Sequence, residues 1–159
     1  MGGAKRRSGR HVLVFYSLRI GGPDGAELWR LMRNLVMVDR SLVSVVDDDE
    51  SVRESLPDLL KEFGFAVQAF ASAEEFLASD CVGQTRCLIL DIAMPGMSGP
   101  DLQRELTLRR RNIPIVFITA HPDAAVRPRV LEQGAVECLF KPFSDTDLLE
   151  ALNTALRVR

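Results

Sequence analysis

At Leu42 the pattern of the chain changes. From there, apolar runs of strand length recur, separated by amphipathic stretches. Leu42–Val46, Ala66–Phe70, Cys87–Leu90, Pro114–Ile118 and Val136–Phe140 read as five strands. Between the first two, Glu50–Phe63 puts Val52, Leu56, Leu59, Leu60 and Phe63 on one helical face and stops at Gly64. Ala73–Ala78 reads as a short helix, with Ser72 and Glu75 spaced as a capping box. Gly99–Leu108 and Asp123–Gln133 follow as helices, the second closed by Gly134, and Ser144-Asp145-Thr146-Asp147 opens a fifth that runs to the C-terminus. Two prolines disturb this pattern. Pro57 removes the bond to the Arg53 carbonyl and predicts a kink or a later start for the first helix. Pro128 falls inside the fourth helix and blurs its limits.

Strands alternating with helices through short connections predict an α/β fold: a (βα)5 doubly wound parallel five-stranded sheet with helices on both faces. The central runs are continuously apolar, as strands buried on both faces must be. Four of them end in polar residues. Val43-Ser44-Val45-Val46 leads into Asp47-Asp48-Asp49-Glu50, Cys87–Leu90 into Asp91, Ile115–Ile118 into Thr119, and Cys138-Leu139-Phe140 into Lys141. In a parallel sheet these ends share the edge where open α/β sheets place their ligands.

That edge carries the candidate chemistry. Carboxylates about 4 Å apart repel by roughly 4 kcal/mol at an effective dielectric near 20, so Asp47, Asp48 and Asp91 together call for an offsetting charge. A divalent ion with hard oxygen ligands, Mg²⁺, meets that need. A helix N-cap accounts for one acid after the first strand, and Asp49 fits that role, but three acids exceed it. Pro142 holds Lys141 extended, which aims its ammonium at the cluster. Thr119 offers a hydroxyl to the same oxygens. Together the parts suit phosphoryl transfer to the Asp91 carboxylate, with Lys141 and Thr119 on the phosphoryl oxygens.

Val46-Asp47-Asp48-Asp49-Glu50, Leu90-Asp91-Ile92-Ala93-Met94-Pro95-Gly96-Met97-Ser98-Gly99, Ile118-Thr119-Ala120 and Phe140-Lys141-Pro142-Phe143 resemble the receiver domain of two-component response regulators. Asp-Glu-Ser-Val-Arg-Glu-Ser-Leu and Ala-Ser-Ala-Glu-Glu-Phe-Leu are similar to the FixJ/NarL-like subgroup. The resemblance spans about Leu42 to Arg157. It implies a flavodoxin-like strand order of 2-1-3-4-5, phosphorylation of Asp91 by a sensor histidine kinase, and Mg²⁺ held by Asp48, Asp91 and the Ala93 backbone carbonyl, with Asp47 acting through water. It also implies a cis peptide at Lys141-Pro142 and, as a common family mode, a homodimer through the helix-four/strand-five/helix-five face. The family pairs its threonine with an aromatic two to three residues before the lysine. Cys138 stands there instead, which puts that readout in doubt.

Residues 1–41 differ from the rest. They hold eight Lys/Arg against three Asp/Glu, while the remainder holds twelve against nineteen. Residues 1–10 have nothing to bury, 12–18 could form a strand, and Glu27–Val38 has a helical apolar spacing. They are expected to form an N-terminal extension, with the receiver over 42–159. The net charge of -2 gives no argument for nucleic acid. No apolar run reaches the ~18–20 residues of a membrane helix, and no signal peptide is evident. Cys81, Cys87 and Cys138 show no metal spacing and fit a reducing compartment, so a cytoplasmic protein is expected. The last predicted helix reaches Arg159, so the output falls to a separate protein or to a missing output domain. A signalling module is expected rather than an enzyme. A dehalogenase-like phosphohydrolase would need an acid two residues after Asp91, where Ala93 stands. A pseudo-receiver that binds partners without phosphate is the alternative, and the complete Asp–Thr–Lys set opposes it.

Overall fold

The computed structural model describes residues 41–121 and 123–157. The expectations for residues 1–40, the strand over 12–18 and the helix over Glu27–Val38 among them, lie outside the described residues. β1 (Leu42–Val46), α1 (Glu50–Glu62), β2 (Ala66–Phe70), α2 (Ala73–Ala78), β3 (Thr85–Asp91), α3 (Gly99–Leu108), β4 (Ile115–Thr119), α4 (Val126–Glu132), β5 (Glu137–Phe140) and α5 (Asp145–Arg157) follow in that order. The strands form one parallel sheet in the order β2-β1-β3-β4-β5.

Alternation along each strand sends side chains to opposite faces, and each face has its own helices. Val43, Val45, Cys87, Ile89, Val116 and Ile118 pack against Leu56 and Leu60 of α1 and Leu148, Leu149 and Leu152 of α5. Val46, Leu88, Leu90 and Phe117 pack against Phe76 of α2, Leu102 and Leu106 of α3 and Val130 of α4. The sheet is thus dry on both sides at its centre, and only its C-terminal edge presents polar groups in number.

Several element limits depart from the sequence reading, each for a local reason. β3 begins two residues early, at Thr85. The Thr85 hydroxyl lies 2.7 Å from the Ser44 hydroxyl and donates to the Cys81 carbonyl at 2.6 Å, so polar residues enter the buried strand as satisfied partners. A short 3₁₀ turn, Asp80–Gly83, which the apolar pattern does not reveal, leads into it. β4 starts after Pro114, which has no N–H for a ladder, although its carbonyl accepts from Leu88 N at 2.9 Å. Pro57 does not delay α1, which begins at Glu50 and continues past it. α4 starts at Val126 rather than Asp123, with Pro128 in its first turn, where no intrahelical donor is lost. The Asp123 side chain and carbonyl instead accept from Ala125 N and Val126 N.

α2 shows half of the expected capping box. Ser72 Oγ accepts from Glu75 N at 3.1 Å, but the Glu75 carboxylate takes the N–H of Ala71, at 2.8 Å. Asp49 caps α1 as expected, accepting from Ser51 N. Among the described residues no helix is long and apolar enough to cross a membrane.

Candidate functional site

Parallel pairing brings the ends of β1, β3, β4 and β5 to one edge. Asp47 leaves β1 with its N–H bonded to the Phe70 carbonyl, Asp91 is the last residue of β3, Thr119 is the last of β4, and Lys141 follows β5 with its N–H on the Thr119 carbonyl at 2.7 Å. Carboxylate oxygens of Asp47, Asp48 and Asp91 lie within 4.8 Å of one another. Asp47 is fully buried, Asp91 nearly so, and Asp48 exposed, so the cluster sits in the sheet edge and opens outward.

Lys141 offsets part of that charge. Its ammonium donates to Asp47 Oδ2 at 2.7 Å and stands 3.9 Å from Asp91 Oδ1. The primary partner is therefore Asp47, because a fully buried carboxylate gains most from a cation. Asp47 Oδ1 accepts from Asp49 N at 2.9 Å, so both of its oxygens already hold a donor. Asp91 lacks such support. Burial first, then the neighbouring Asp47 charge, push its carboxyl from 3.8 up to about 7; Lys141 opposes the shift, and Asp48 adds to it. Carboxyl groups shifted in this way concentrate at functional sites.

The loop after β3 is fastened to the sheet by Ile92 N on the Ile118 carbonyl and Gly99 N on the Ile92 carbonyl. Gly99 admits no side chain, since a Cβ there would collide with the Asp91 carbonyl and come within 2.9 Å of Phe117. α3 can begin directly against the end of β3 only for that reason. Ala93, on this loop, is exposed. The Lys141-Pro142 peptide is cis, as the resemblance implies.

Thr119 is buried, and its Oγ accepts from His121 N at 3.1 Å. It thus ties the following loop, while the His121 side chain is exposed. Cys138 is buried beside Phe117, its register partner, in the α2-α3-α4 core, and burial raises its thiol above the ordinary value. Phe140 is the residue paired with Thr119 in register, and it is 38% exposed. The sequence reading passed over Arg53, whose Nη1 donates to the Asp47 carbonyl at 3.0 Å. An arginine on the first turns of a helix carries no mark that separates this role from a solvated one.

The donor set suits a hard divalent cation: carboxylate oxygens only, one of them exposed, converging at an open edge. Comparison with known proteins decides the family. The response regulator receiver domain matches residues 43–153.

The chain belongs to the response regulator receiver family.

This receiver is 46% identical over 116 residues to Nodulation protein W of Bradyrhizobium diazoefficiens, covering 73% of this chain and 51% of that protein. It is 42% identical over 113 residues to the transcriptional regulatory protein FixJ of Rhizobium meliloti, covering 71% of this chain and 55% of that one. The crystal structure of FixJ-N superposes with a TM-score of 0.68 at 40% identity, covering 75% of this receiver and 95% of that chain. The receiver spans about half the length of the curated relatives it matches. The strand order of 2-1-3-4-5 and the FixJ/NarL-like resemblance both hold.

Proposed function

We propose that the receiver accepts a phosphoryl group on Asp91 from a sensor histidine kinase and passes the change in conformation to a protein partner. The observation that carries this reading is the convergence of three carboxylates within 4.8 Å, with Lys141 2.7 Å from one and 3.9 Å from another. An Asp91 carboxylate oxygen forms the new P–O bond as the P–N bond of a phosphohistidine breaks, and the imidazole leaves with the electron pair and takes up a proton. Asp48, Asp91 and the Ala93 carbonyl would hold Mg²⁺ directly, with Asp47 acting through water, since both Asp47 oxygens already accept hydrogen bonds. When bound, Mg²⁺ supplies positive charge against the carboxylates and the transferring phosphoryl group. Lys141 pairs with Asp47 in the resting state and stands within one side-chain adjustment of an oxygen on Asp91. Thr119 offers its hydroxyl from the neighbouring strand end once it releases His121 N.

The domain division proposed here is an N-terminal extension over 1–41 and the receiver over 42–159. The relatives' greater length supports an output segment, on the same or another chain, and a cytoplasmic setting follows from a kinase partner. A homodimer through the α4-β5-α5 face is part of the proposal, as is signalling in place of enzymatic turnover.

The test is labelling with acetyl phosphate and Mg²⁺, read by intact mass, beside beryllofluoride binding read by amide shifts. The wild type gains one phosphoryl group and Asp91→Asn gains none. Labelling of Asp91→Asn at the wild-type level would falsify the assignment.

A further inference from the structure

The loop between β3 and α3 carries Ala93, whose carbonyl is one of the proposed metal ligands. Residues 92–98 have no regular backbone ladder, so their conformation depends on individual ties. The ends are tied locally. Ile92 N and Gly99 N bond within the sheet edge, Ser98 N donates to Asp101 Oδ2 at 3.2 Å, and Met94 is buried. The outer turn is held from elsewhere. Glu74 Oε1, on α2, accepts the Met97 N–H at 2.9 Å, a contact between residues 23 apart in the chain. Gly96 stands at φ +75°, and a Cβ there would lie 2.9 Å from the same Oε1, so the carboxylate rests directly on the loop backbone. The bond is charge-assisted, and the Met97 N–H is the main reason the Glu74 carboxyl titrates below its ordinary value.

α2 is built to bear this load. Its N-terminus is fastened by Ser72 on Glu75 N and by Glu75 on Ala71 N. Ala73 and Phe76 are buried, and the Phe76 ring meets Phe70 of β2 edge-on with centroids 5.4 Å apart. The two adjacent glutamates therefore divide the work: Glu75 anchors the helix and Glu74 reaches out from it.

We infer that Glu74 is a positioning residue for the acceptor site, fixing from α2 the loop that presents the Ala93 carbonyl beside Asp91. The inference rests on the proposed metal and phosphoryl chemistry. Its effect on Asp91 runs through the Gly96-Met97 backbone. The turn is held by a helix that belongs to the β2 side of the sheet.

The experiment compares the full chain with Glu74→Ala and Glu74→Gln. Three quantities are read: amide exchange of Met97 without metal, the Mg²⁺ dissociation constant from amide-shift titration, and the acetyl phosphate labelling rate at limiting and saturating Mg²⁺. Glu74→Ala is expected to speed Met97 exchange by about tenfold and to raise the Mg²⁺ dissociation constant by about 3–10-fold. Its labelling slows at limiting Mg²⁺ and recovers at saturation. Glu74→Gln keeps an acceptor oxygen and stays within about twofold of wild type. A folded Glu74→Ala with wild-type Mg²⁺ affinity overturns the inference while leaving the proposed function standing. Unchanged Met97 exchange in that variant overturns the contact itself. A wild-type chain that takes up no Mg²⁺ overturns the proposed function and the inference with it.

Discussion

Asp91 is the residue on which the sheet concentrates its cost. Its carboxyl titrates near 7 in the fold and near 3.8 when free, so between those values the native state keeps a proton that the unfolded chain has released. Stability of the metal-free receiver therefore falls as pH rises through that window and levels off above it. Asp91→Asn removes the fall. With the open edge screening part of the repulsion, the variant should be about 1–2 kcal/mol more stable than wild type at pH 7.5 in chelator, with the gap closing toward pH 4. A gap that is constant with pH in urea melts would contradict the burial and Asp47 contributions. Lys141 gives the opposite case. Truncation to alanine leaves the fully buried Asp47 carboxylate with only the Asp49 N–H. A loss of about 2–3 kcal/mol is expected, less than for a wholly unpaired buried charge, and a chelator-treated melt measures it. Neither number is legible from the sequence, which shows that Lys141 is aimed at acids but not which acid receives it.

At the scale of elements, three helices end in the same way. α1, α3 and α4 close with the N–H of the second residue past the cap on a carbonyl one turn back: Phe65 on Leu60, Arg111 on Leu106, and Ala135 on Val130. The left-handed position is Gly64 in the first and Gly134 in the last, but Arg110, at φ +57°, in α3. A side chain there costs roughly 1–2 kcal/mol in the fold, partly offset by the lower entropy of the unfolded chain. Arg110→Gly should stabilise the receiver by about 0.5–1 kcal/mol, seen as a higher denaturant midpoint at unchanged slope. Destabilisation would mean that the Arg110 side chain makes contacts worth more than the strain. Arg109, the C-cap residue of α3 and the first of three successive arginines, pairs with Glu105 at 2.8 Å. The left-handed member of the run was not legible, because nothing in three successive arginines marks which one reverses its backbone.

For the whole molecule, the acidic edge links ligand to stability. A cation that binds only the folded state stabilises it by RT ln(1 + [L]/Kd), about 1.4 kcal/mol at ten times Kd. Mg²⁺ should therefore raise the melting temperature of the wild type, and Asp48→Asn should abolish most of the rise; calorimetry at fixed ionic strength checks this, and an equal rise in both proteins would remove Asp48 from the site. The strand runs and their polar ends were readable because strands buried on both faces tolerate little but apolar residues until they reach water. The strand pattern of β3 starts short because its first residues, Thr85 and Arg86, are polar, and the contacts of Thr85 with Ser44 on a neighbouring strand and with the Cys81 carbonyl permit its burial.

By itself, then, the sequence determined the alternation of strands and helices, the four polar strand ends and the acids that meet at Asp91. These follow from periodicity and from the order of elements, which are local properties of the chain. Tertiary structure decided what depends on neighbours far apart in sequence. It chose Asp47 over Asp91 as the partner of Lys141, raised the Asp91 carboxyl by burial among like charges, set Thr119 beside Phe140, and laid Glu74 of α2 against the loop after β3. Hydrogen bonds and Coulomb terms act over a few ångströms, and only the folded sheet brings residues 47, 91 and 141 within that range.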